Sequence, residues 1–74
     1  MTEQQFDILK ANKHVYDTWK LNLTVNTEHP AISEINGVYN EIYGHLFNTS
    51  CGTCVADALE TIYGEFKKHA EIWQ

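Results

Sequence analysis

At 74 residues, 43% of them hydrophobic and 20% charged, the chain reads as one folded domain rather than a disordered tail, near the size at which a lone core is marginal and a partner, metal or disulfide adds stability. Five basic residues, none of them arginine, against ten acidic ones leave a net charge of -5, which argues against nucleic acid, because phosphate binding needs clustered cations and base readout favours arginine forks. No apolar run approaches the roughly 20 residues of a membrane span and no secretory leader opens the chain, so a soluble, cytoplasmic protein without membrane contact is expected.

Thr2 followed by Gln5 is a capping-box pattern, and behind it Phe6, Leu9, Lys13 and Tyr16, with Val15 and Trp19, repeat at three to four residues. This predicts a first helix over about 3–21, with Lys10, Asn12, Lys13, Asp17 and Lys20 on its wetter side. Leu21, Leu23 and Val25 then alternate with Asn22, Thr24 and Asn26, a period of two that predicts a short extended segment near 21–27, either folded over the core or offered as an edge to another molecule. His29-Pro30 sets the next boundary, since proline suits a first helical position. Ile32, Ile35, Val38, Tyr39 and Ile42 form a stripe that predicts a helix over 30–43, closed by Gly44 in a left-handed cap. The stripe stays in phase across the competing Asn36-Gly37 turn signal, so the helix is kept whole.

His45 to Ser50 reads as a loop. Val55, Ala58, Leu59, Ile62, Phe66, Ala70 and Trp73 then predict a last helix over about 51–72, capped by Ser50 or Thr53, with Lys67, Lys68 and His69 complementing its C-terminal dipole. Three helices joined by short connections predict an all-α fold: a compact three-helix domain in up-down-up order covering residues 1–74.

Cys51-Gly52-Thr53-Cys54 is the only CxxC, and these are the only two cysteines. In a reducing compartment they are expected to be free or metal-bound rather than bridged. A zinc site requires about four ligands, and the pair supplies two. His69 is about 22 Å from Cys54 along one helix. His29 falls at the opposite end of an up-down-up bundle and His14 in the middle of its first helix. His45 alone can fold back, which gives Cys51, Cys54 and His45 as an incomplete zinc set unless Asp57 or a second molecule completes it. For thiol exchange, Cys51 at a helix N-terminus would be the nucleophile and Cys54 the resolving thiol, although the strand and later cis-proline of thioredoxin-like folds are missing. In the third alternative both cysteines pack as small apolar side chains, and Gly52 allows a close approach or an unusual dihedral.

No other catalytic constellation is present: no paired acids beside a base, no phosphate loop and no nucleophile motif. The chain is expected to be no enzyme and to need no cofactor, zinc being the alternative. It is rich in rings, with nine aromatic residues, and these serve as core filling and as interface anchors. Leu21, Leu23, Val25, Leu46, Phe47, Ile72 and Trp73, which a three-helix core does not fully cover, are the candidate interface, for a protein partner or for self-association. Val38-Tyr39-Asn40-Glu41-Ile42-Tyr43-Gly44, Asn48, the CxxC, Ala58-Leu59 and Ile62-Tyr63 together resemble small CxxC proteins of tailed bacteriophages over residues 38–66. That resemblance implies a phage origin and action by binding, either as an inhibitor of a host bacterial protein or as a minor component of virion assembly.

Overall fold

The computed structural model describes residues 1–22 and 29–73, the last two as backbone. The fold is all-α, with four helices rather than three among the described residues: α1 Glu3–Ala11, α2 Lys13–Asn22, α3 Pro30–Tyr43 and α4 Gly52–Trp73.

The expected capping box opens α1. Gln5 N–H donates to Thr2 Oγ1 at 3.1 Å, and Thr2 N–H donates to Gln5 Oε1 at 2.9 Å. The predicted first helix then breaks at Asn12, where φ is -105° and ψ is 8°. An asparagine side chain offers the backbone an alternative hydrogen-bond partner. Here Asn12 Nδ2 donates to the Ile8 carbonyl and to Glu34 Oε2 on α3, both at 2.8 Å. Asn12 is therefore buried rather than on the wet side. The helix divides because this residue is tied across to a neighbouring element. Leu21 and Asn22, expected in the extended segment, instead close α2; the rest of that expectation, with Leu23 and Val25, lies outside the described residues.

α3 begins and ends where expected. His29 is its N-cap, with Nδ1 accepting from Ala31 N–H at 3.0 Å, Pro30 holds the first position, and Gly44 closes it with φ of 82°. Only a residue without Cβ takes that dihedral at little cost.

Cross-contacts define the directions. Gln5 bonds Glu41 and Asn12 bonds Glu34, so α1 runs antiparallel to α3. The Phe6 ring stacks on Phe66 and Tyr63 Oη reaches the Leu9 carbonyl, so α1 is also antiparallel to α4. Tyr16 stacks on Tyr63 and Lys20 pairs with Glu60, so α2 shares the α1 direction against α4. α3 and α4 therefore point the same way, and the up-down-up order does not hold. The chain length permits this. Fourteen residues of α3 span about 21 Å, and the eight residues from Gly44 to Cys51 can reach about 26 Å when extended.

The connecting loop is held along α3 by Asn36. Phe47 N–H donates to Asn36 Oδ1 at 3.0 Å, and Asn36 Nδ2 donates to the Phe47 carbonyl at 3.2 Å. Both backbone groups are thereby satisfied at a buried position, where an unpaired one would be costly. The core behind this strap contains Leu9, Ile32, Ile35, Val55, Leu59, Ile62 and Tyr63, all fully enclosed. Each aliphatic member contributes on the order of 1.5–3 kcal/mol by burial.

Candidate functional site

The parallel arrangement gathers the sequence features at one end of the molecule. Cys51 precedes the first residue of α4 and acts as its N-cap: its carbonyl accepts from Val55 N–H at 3.0 Å and its Sγ from Cys54 N–H at 3.2 Å. Neither Ser50 nor Thr53 fills that position. Asn48 shapes the approach, its Oδ1 accepting from Ser50 N–H at 2.9 Å. Gly52 has neither a positive φ nor any atom within 4 Å of an added Cβ, so it serves neither purpose expected of it.

Cys51 and Cys54 are joined as a disulfide, with Cα atoms 5.2 Å apart, inside the range such bridges span. This corrects the expectation of free or metal-bound thiols. Three residues of helical advance place both side chains on one face, and both are only partly buried.

The zinc set does not fit. No group of three or more His, Cys, Asp or Glu side chains able to hold a metal occurs among the described residues, and a bridged pair presents no thiolate ligands. His45 is engaged elsewhere: its Nδ1 lies 3.3 Å from the Tyr43 carbonyl, to which it donates, and its ring meets Tyr39 edge-on at 5.4 Å. His29 is not at the far end, because the strap brings Thr49 back beside it. Its ring instead caps α3 and lies 5.5 Å from that of His14.

The candidate interface residues separate. Leu21 is 82% exposed and Leu46 62%. Phe47 is buried, which removes it from any surface: Asn36 fixes its backbone, and its ring packs at 90° to Tyr39 with centroids 5.2 Å apart. The side chains of Ile72 and Trp73 lie outside the described residues. Leu46 turns outward as Phe47 turns in, and it borders an open groove of about 430 Å³ with Pro30, Ile32 and Thr49. Toward the C-terminal end of α3, Tyr39 and Tyr43 are half-buried with ring centroids 4.6 Å apart. Burial, followed by the nearby charges of Glu65 and Tyr39, raises the Tyr43 hydroxyl above its ordinary ionisation range. This pair was missed as surface, although its spacing of four residues on a helix was the available signal.

A second open groove, about 500 Å³, runs between α1 and α3 and carries Asp7, Glu34 and Glu41. Glu34 and Glu41 already accept from Asn12 and Gln5. No helix among the described residues is long and apolar enough to cross a membrane. No family model, curated protein or solved structure matches this chain.

Proposed function

We propose that the protein is a non-catalytic protein-protein interaction module, phage-encoded, that binds and inhibits a host bacterial protein in the host cytoplasm. The observation that supports this is Leu46. A large apolar side chain stands 62% exposed on a strap whose backbone is pinned by Asn36, at the edge of the groove it shares with Pro30 and Ile32. An apolar anchor held rigidly loses little freedom on docking. The resemblance over residues 38–66 supports the choice of a bacterial partner.

The test is a comparison of tagged wild-type protein with Leu46→Glu in bacterial lysate. Leu46 is solvent-facing, so the variant is expected to keep its helical circular dichroism. A single stoichiometric host protein captured by the wild type and lost with Leu46→Glu is the expected result. Equal capture by both chains would overturn the assignment of this face, and recovery with virion proteins alone would replace inhibition by assembly.

A further inference from the structure

We propose that Cys51 and Cys54 form a thiol–disulfide exchange site that oxidises a pair of cysteines in another protein. This goes beyond docking and does not depend on it, since exchange requires access to the sulfurs and not an enduring complex.

Three placements carry the inference. First, the pair is bridged and partly exposed rather than sealed in the core. A purely structural bridge closing a loop this short restrains little of the unfolded chain, because such stabilisation grows with loop length. Secondly, the two sulfurs occupy inequivalent positions. Cys51 Sγ is at the N-cap of a 22-residue helix and accepts the Cys54 N–H at 3.2 Å. When the bridge opens, negative charge on Cys51 is favoured by that donor and by the positive end of the helix dipole. Stabilising the reduced form makes the bridged form the better oxidant. Thirdly, approach is open. Thr49, two residues before Cys51, lines the groove that Leu46 borders, and two residues span at most about 7 Å, so a cysteine-bearing segment lying there is close to the bridge.

The step balances as follows. A thiolate of the partner attacks Cys51 Sγ, forming an intermolecular S–S bond while the Cys51–Cys54 bond breaks, and Cys54 leaves as a thiolate that takes a proton from water. The partner's second thiolate then attacks its own sulfur in the mixed disulfide. Cys51 Sγ is expelled with its electron pair toward the Cys54 N–H. Counted from thiols, the partner's two S–H groups release two protons to water as they ionise and pass two electrons to the bridge, and Cys54 and then Cys51 take two protons back from water to give the dithiol.

The test uses the oxidised full-length chain and a short synthetic peptide bearing two cysteines, followed by mass spectrometry. Peptide oxidation matched one-for-one by reduction of the chain is expected, at least about tenfold faster with the folded chain than with the same chain unfolded in denaturant. Reduced Cys54→Ser, mixed with a single-cysteine peptide activated as its thionitrobenzoate disulfide, is expected to hold the peptide as a stable mixed disulfide through Cys51, because no second thiol is present to expel it, whereas Cys51→Ser traps far less. Equal rates for folded and unfolded wild type would overturn the proposal even if neither variant folds. Preferential trapping through Cys54 would overturn the roles given to the two sulfurs.

Discussion

Replacing Tyr63 with phenylalanine isolates one oxygen atom in the centre of the fold. The side chain is fully enclosed, its ring stacks on Tyr16 with centroids 4.8 Å apart, and its hydroxyl donates to the Leu9 carbonyl at 2.8 Å. Phenylalanine keeps the ring contacts and removes only the donor. The Leu9 carbonyl retains the Asn12 N–H at 3.2 Å, so no buried acceptor is orphaned, and the cost at neutral pH is expected to be about 1 kcal/mol. The pH dependence gives a second readout. Burial, and secondarily the charge of Asp17, raises the Tyr63 ionisation well above its ordinary value of 10.0. A folded-state value above the unfolded one means that the stabilisation is complete below pH 10 and declines as pH rises beyond it, because only the unfolded chain gives up the proton. That decline is up to about 1.4 kcal/mol per pH unit. Tyr63→Phe lacks it, while the contributions of other groups are common to both chains and cancel in the difference. Urea unfolding followed by circular dichroism is therefore expected to show wild type ahead at pH 7 and the two chains equal between about pH 10 and 11. A difference that stays constant from pH 7 to 11 would refute the enclosed, neutral phenol.

Asn36→Ala is expected to cost about 2–4 kcal/mol in the same unfolding assay, because it strips partners from both the N–H and the carbonyl of buried Phe47. Gly37→Ala and Gly64→Ala meet no atom within 4 Å and are each expected to stabilise by up to about 1 kcal/mol through helix propensity. Gly44→Ala, at φ of 82°, is expected to destabilise by about 1 kcal/mol. Asn12→Ala removes two side-chain hydrogen bonds and is expected to cost about 1–2 kcal/mol in urea unfolding, the Glu34 share being modest because that carboxylate is exposed.

Features set by near neighbours in the chain were legible. Thr2 with Gln5, His29-Pro30 and Gly44 each act within four residues of themselves, and α3 has the predicted bounds. The last helix is displaced by a single residue at each end, Gly52–Trp73 against 51–72. What was not legible depends on contacts far apart in sequence. Asn12 has the same local signature as a solvent-facing asparagine, and only Glu34, 22 residues later, makes it a break. The direction of α4 could not be read from loop length, because a loop able to turn sharply is also able to run back along α3. That reversal moved His29 to the end where α4 begins and turned Phe47 inward.

The three residues that decide this architecture, Asn12, Asn36 and Tyr63, are polar, and each donates from its side chain to a group far off in the chain: Asn12 to Glu34, Asn36 to the Phe47 carbonyl and Tyr63 to the Leu9 carbonyl. Apolar burial alone does not choose among packings of short amphipathic helices, since many arrangements cover similar area. A side-chain donor that meets one particular distant acceptor is satisfied in only one of them, and leaving it buried without a partner disfavours the others. No buried side-chain nitrogen or oxygen among the described residues lacks a partner. The hydrogen bonds of Asn36 pin the strap that exposes Leu46 and brings Thr49 and Cys51 to the start of α4. Loosening that strap is therefore expected to weaken docking and sulfur exchange together, because Leu46 and the approach to the bridge both depend on where the strap lies.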